Sequence, residues 1–184
     1  MEYTLVLWHA DHVNFGRLLS MLESELDLVH EGGSPDYEMM LDIMYYMTHY
    51  SDAVHHPKED LVFARIRARD ENAGPAVDAL SNQHAQLRDL GEALVHSLDN
   101  VMNDEIAPRA QIEATARAYV SALRAHMRTE EREILPCAAR VLAESDWAEI
   151  NAAIASVDDP LFGAQVAERY AGLRDQIHRQ ARFS

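Results

Sequence analysis

Two stretches of the chain carry a histidine followed four residues later by a glutamate: His55-His56-Pro57-Lys58-Glu59 and His126-Met127-Arg128-Thr129-Glu130. On a helix that spacing sets imidazole and carboxylate on one face, one turn apart, where the pair can hold one metal ion or share two. Imidazole nitrogen together with carboxylate oxygen suits iron, manganese or zinc. It does not suit calcium, which takes oxygen ligands, nor a thiolate zinc site, for which a single cysteine is too few. One such pair on a solvated helix face ordinarily binds nothing. Two gain weight only where both point inward, so the elements that carry them decide.

Those elements read as helices. From Leu5 the apolar residues recur at Trp8, Phe15, Leu19, Leu22, Leu26 and Val29, three and four apart, with His12 filling the gap in the series. The helix is expected to end at Glu31-Gly32-Gly33, and Ser34-Pro35-Asp36 to open a second. The second seam runs Tyr37, Leu41, Met44, Thr48, Asp52, His55, Glu59, Val62 and Ile66, and Pro57 inside it must kink or restart the helix. A third, after Gly74-Pro75, presents Val77, Leu80, His84, Leu87, Gly91, Leu94, Leu98 and Val101. A fourth, after Pro108, presents Ile112, Ala116, Tyr119, Leu123, His126, Glu130, Ile134, Cys137 and Val141. The expected fold is all-α: an up-down-up-down four-helix bundle over residues 1–143, with residues 144–184 a C-terminal helical extension packed on it. In that extension Asp146-Trp147 opens a short helix, and Phe162, Val166, Tyr170, Leu173 and Ile177 mark a last amphipathic one, a cap or an oligomer contact.

His12, His55, Glu59, His84, His126 and Glu130 are thus all seam residues. A lone seam histidine is usually a hydrogen-bonded core residue, but burying two uncompensated carboxylates costs several kcal/mol each, so positive charge is expected among them. Depth agrees: at about 1.5 Å per residue, His12 lies roughly 10 Å and His84 roughly 15 Å from one end of the bundle, the His55/Glu59 pair roughly 15–21 Å and the His126/Glu130 pair roughly 20–25 Å. His56 is about 100° round the helix from His55 and is open to either role. His30, His96 and His178 are expected in solvent, whereas His9 and His49 could reach the same centre or its approach. Glu131 is expected to face solvent. Glu133 is likewise expected to face solvent, although, within about 20° of the His126 face, it could also support the site; Arg88 either pairs near it or is solvated. The methionines Met39, Met40, Met44 and Met47 read as core filler.

Composition narrows the function classes. A formal charge of -15 provides no basic stripe for nucleic acid and repels anionic membranes. Cys137 alone makes no internal disulfide, the N-terminal residues lack a signal-peptide pattern, and no stretch approaches a membrane span, so a cytoplasmic protein is expected. No residue beyond the ligands is spaced for acid–base work, so no catalytic residue is assigned.

Over roughly residues 5–142 the chain resembles the hemerythrin-like family, the HHE cation-binding domain, through Asp11-His12, HHPKEDLVF, His84 and HMRTEEREILP. The resemblance implies a four-helix bundle holding two iron ions joined by an oxo or hydroxo bridge, with manganese or zinc as possible substitutes. It implies His12 and His55 on one iron, His84 and His126 on the other, Glu59 and Glu130 bridging, and His56 as a position where some family members place a ligand. Respiratory hemerythrins carry a second histidine four residues after the third-helix one, where this chain has Arg88, and end on an aspartate five after the last histidine, where it has Glu130 four after. The resemblance is therefore to the broader bacterial group rather than to dedicated oxygen carriers. Ferritin-like proteins compete structurally, but their Glu-x-x-His marker is missing from both sites. Three functions follow: binding or sensing oxygen, peroxide or nitric oxide at the di-iron centre; a di-iron oxidoreductase or iron donor under oxidative or nitrosative stress; or a metal-free helical interaction module. A homo-oligomer through the C-terminal helices is compatible with each.

Overall fold

The computed structural model describes residues 2–153 and 157–180, and every regular element among them is helical. The chain folds as an all-α bundle of four rods. Helix α1 (Glu2–His30) ends where Gly32 turns to a φ of 76° and the Gly33 N–H closes on the Leu28 carbonyl. The second rod is α2 (Tyr37–Tyr46), capped by the Asp36 side chain on the Met39 N–H, then a π-helical segment (Met47–His55), then α3 (His56–Arg69). The third is α4 (Gly74–Met102), with Pro75 in its first turn. The fourth joins α5 (Arg109–Thr129), a second π-helical segment (Glu130–Ile134) and α6 (Leu135–Val141).

Hydrogen-bonded contacts between rods fix the directions. Asp11 meets His55 and Glu25 meets Asp36; Asp60 meets His84 and Arg67 meets Asp78; Arg117 meets Asp27 and Glu131 meets His12. In each pair of rods one number rises as the other falls, so neighbours run antiparallel.

The restart expected at Pro57 takes the form of the first π-helical segment. Proline offers no N–H and its ring crowds the preceding turn, and the chain answers with an extra residue, so that the His56 N–H reaches back five residues to the Ser51 carbonyl. The same device recurs before Pro136, where the Leu135 N–H reaches the Glu130 carbonyl. The five-residue turn also lowers the angle between successive side chains, and Asp52, His55, His56 and Glu59 are all buried. Such segments gather at functional sites.

The core is split in two. One apolar cluster includes Phe15, Leu19, Met44, Tyr50, Leu87, Leu94, Tyr119 and Leu123; the other includes Trp8, Val62, Phe63, Val77, Leu80, Ile134 and Trp147. On every rod the candidate ligands fall between them: His12 between Trp8 and Phe15, the 55–59 group between Tyr50 and Val62, His84 between Leu80 and Leu87, and the 126–130 pair between Leu123 and Ile134. A polar layer crosses the bundle at one height.

The C-terminal segments cover both clusters. Helix α7 (Glu144–Ala153) inserts Trp147 and Ile150 beside Trp8 and Phe63, with Arg69 forking onto Asp146 at 3.0 and 2.8 Å. The last helix is shorter than its sequence pattern suggests, because Asp159 accepts the Leu161 and Phe162 N–H groups and folds them into a turn. Helix α8 (Ala171–Gln180) follows and spends its apolar face, Leu173 and Ile177, on the first cluster.

Candidate metal centre

The polar layer holds His12, His55, His56, Glu59, His84, His126 and Glu130, each 5% exposed or less. One donor atom from each of His56, Glu59, His84 and His126 lies within 4.8 Å of the others, and the same is true of His12, His55 and Glu59. Glu59 belongs to both groups. Its Oε1 stands 2.7 Å from His55 Nε2 and 3.5 Å from His12 Nε2, while its Oε2 stands 3.3 Å from His84 Nε2. Glu130 repeats the pattern from the opposite rod, with Oε2 at 3.3 Å from His12 Nε2 and Oε1 at 3.2 Å from His126 Nε2. Each carboxylate turns one oxygen to the His12/His55 side and the other to the His84/His126 side.

Around these residues runs a ring of hydrogen-bond acceptors. Asp11 on α1 holds His55 Nδ1 at 2.9 Å, and Asp60 on α3 holds His84 Nδ1 at 3.1 Å. Gln83 on α4 holds His126 Nδ1 at 3.0 Å, and Glu131, just past α5, closes the ring on His12 Nδ1 at 3.1 Å. Each acceptor is the chain neighbour of an inward-facing residue: it precedes its neighbour on the first and third rods and follows it on the second and fourth. A step of one residue turns about 100° round a helix, and reversing the helix reverses the sense of that turn seen from one end. The antiparallel rods therefore offer their acceptors in one rotational direction, each to the next helix.

Oxygen can only accept, so each of these four Nδ1 atoms carries a hydrogen and each Nε2 is the nitrogen left to face inward, where it holds either a second proton or a cation. His84 Nε2 and His126 Nε2 stand 3.1 Å apart, an arrangement that needs a proton or a cation between them. His12 Nε2 lies 3.0 Å from the Trp8 indole nitrogen, whose N–H it accepts when unprotonated, so coordination through that atom requires the indole to release it. Outer partners of this kind typically change metal affinity about 10- to 100-fold. Asp11→Ala is accordingly expected to weaken metal binding by about that factor with helix content unchanged, read by competition with a chelator and by circular dichroism.

Among the described residues, buried side-chain atoms without a hydrogen-bond partner concentrate in this layer: both oxygens of Glu59, Glu130 and Asp52, His55 Nε2 and His56 Nδ1. The imidazole–carboxylate approaches are close but misaligned for N–H···O bonding. Burial opposes protonation of His12, yet the Glu130 and Glu59 carboxylates outweigh it and push its pKa up to about 10. Burial likewise opposes protonation of His55 and His84, but Glu59 and Asp11 raise the first to about 9, and Asp60 and Glu59 raise the second to about 9. The Glu59 carboxyl, raised by burial alone, is held well below its ordinary value by His55, His12 and His84. Without metal the layer keeps its carboxylates by keeping protons on imidazoles. Nitrogen and carboxylate donors, buried and turned on one another, fit transition-metal cations.

The structure brings together all seven sequence candidates. His56 stacks on His84 with ring centroids 4.2 Å apart and occupies the side of the layer that Arg88, an exposed residue, leaves short of a histidine. His9 is 60% exposed and His49 bonds the Tyr45 carbonyl, so neither joins the cluster. Glu131 and Glu133 are both exposed, as expected, but Glu131, on the flank facing α1, also bonds His12. His30, His96 and His178 are exposed as expected. The sequence reading passed over Asp60 and Gln83, whose only signal is adjacency to a ligand, and did not assign Asp52 a role. Asp52 is buried with Oδ1 3.1 Å from His56 Nδ1.

The profile of the Hemerythrin HHE cation binding domain matches residues 4–138. The chain belongs to that family. Its HHE domain thus takes in every candidate ligand and the whole of the second and third rods, starting within α1 and ending within α6. Searches against curated proteins and against solved structures returned no match. The HHE domain is a cation-binding one, and its buried His/Glu cluster could hold a metal. No helix among the described residues is long and apolar enough to cross a membrane.

Proposed function

We propose that this HHE domain holds two iron ions and binds or senses a small molecule there: oxygen, peroxide or nitric oxide. The observation that carries the reading is the pair of two-faced carboxylates, Glu59 and Glu130, each with one oxygen toward either histidine group. In this reading His12 and His55 hold one cation, His56, His84 and His126 the other, and both glutamates bridge. Manganese or zinc would satisfy the same donors; iron is the assignment the family favours. Bound iron would supply a redox-active Lewis acid with room for a small ligand. The chain's own contribution would be unequal, two imidazoles on one side against three on the other, so the His12/His55 side has fewer protein donors and would be the side to take a small ligand. Trp8 and Phe15 keep that side dry, with ring centroids 6.4 and 4.9 Å from the His55 ring. The cytoplasm is the compartment this reading assigns.

A turnover reaction is the second reading, and Asp52 favours it as a buried carboxylate beside a ligand and outside the ligand set. Adding oxygen or peroxide to the reduced, iron-loaded protein separates the two by absorbance. Binding predicts a lasting adduct; turnover predicts return to the starting spectrum while product accumulates.

A further inference from the structure

We propose that small anions reach the metal centre through the groove between α1 and the fourth rod, on the His12 side and past the Glu131 carboxylate. The proposal rests on the metal-centre reading above. All seven ligands are buried, so whatever binds must be let in. A cavity of about 320 Å³ between these rods has His12 in its wall, together with Gly16, Arg124, Arg128 and Glu131. It adjoins a second, of about 270 Å³, that shares Arg124 and Arg128. A third, of about 150 Å³ beside Ala53, Pro57 and Lys58, touches none of the seven.

Two features of the groove suit an anion, and a third marks where the route meets the buried ligand. The chain's charge of -15 and the two carboxylates at the centre repel anions from most directions. Along the groove, however, stand two guanidinium groups one turn apart on α5. Arg124 is committed to Glu23 and Ser20, but Arg128 has no ion pair among the described residues. Secondly, Gly16 keeps the groove open: a Cβ built there meets nothing within 4 Å. Glycine inside a helix is destabilising relative to alanine, so the missing side chain has no helical advantage. Thirdly, one Glu131 oxygen bonds both His9 Nδ1 at 3.0 Å and His12 Nδ1 at 3.1 Å, standing between the exposed rim and the buried ligand.

The test compares Gly16→Leu, which fills the groove, Arg128→Glu, which reverses its free charge, and Ala53→Leu, which fills the third cavity. Iron content is measured on each full-length preparation, and azide association with the iron-loaded protein is followed by stopped-flow absorbance. Gly16→Leu is expected to slow association severalfold at unchanged iron content. Arg128→Glu should slow it about threefold or more at low salt, an effect that fades as salt is added. Ala53→Leu should leave it as in the parent. A metal-free arm reads iodide quenching of Trp8 fluorescence in a Trp147→Phe background, where Gly16→Leu should lower the quenching constant. Parental azide rates and parental quenching in Gly16→Leu, or slowing by Ala53→Leu instead, overturn the proposal. Absence of iron from the parent would defeat the metal-centre reading, while the iodide arm would still decide whether the groove admits anions.

Discussion

Glu59→Gln is expected to empty both cation positions, reducing bound iron to a trace while the helices remain. Glu59 is the residue common to the two donor groups, with its oxygens 2.7 Å from His55 and 3.3 Å from His84. An amide of the same shape brings no charge and offers N–H donors to nitrogens that need a cation. The loss should exceed the about 10- to 100-fold weakening that an outer partner such as Asp11 controls. His55→Ala removes one ligand from one side and should lower iron sharply, toward one ion per chain. Circular dichroism on the same samples separates lost metal from lost fold. Retention of both irons by Glu59→Gln would show that the carboxylate does not bridge.

Raising the pH from 7 to 10 should destabilise the metal-free protein and strengthen metal binding. His12 at about 10, and His55 and His84 at about 9, all lie above the ordinary 6.5. A histidine raised in this way contributes stability that is fully present below 6.5 and lost as pH rises through its folded value. The Glu59 carboxyl, held well below 4.5, acts in the opposite sense: its contribution is present above 4.5 and disappears as pH falls through the folded value. Metals take only deprotonated imidazole, so loading at pH 7 must displace the protons on those three histidines, about three per chain. Thermal melts across the interval, and an indicator dye during loading, measure the two halves. A melting temperature that is flat from pH 7 to 10, or metal uptake that leaves the dye unchanged, would contradict the electrostatic account of the layer.

The helical seams were legible because burial imposes a period of three and four, and an ionisable residue inside that period stands out. His12, His84 and the two His/Glu pairs were readable for this reason, and so was their common height. Asp60 and Gln83 lie off the seam, where an acidic or amide side chain is ordinary; only the packing of the neighbouring helix gives each an imidazole to hold. Glu131 is exposed, as its position predicts, yet its carboxylate also reaches His12 Nδ1, because α1 lies on that flank. Pro57 signalled a break, but not that the break would be a wider turn able to bring His56 inward beside His55. The start of α8 was hidden for a similar local reason: the Asp159 side chain competes with the helix for the Leu161 and Phe162 N–H groups. Asp52 was visible as a seam residue, yet without its distance to His56 nothing distinguished it from a helix-face carboxylate.

Elemental analysis of the full-length protein, purified without chelator and again after iron is supplied to it, tests the central claim most directly. A layer built to share two carboxylates between two histidine groups should carry two iron ions per chain. A protein that remains metal-free after reconstitution, or one whose bound iron survives Glu59→Gln and His55→Ala unchanged, would mean that these buried side chains pair with one another rather than with metal.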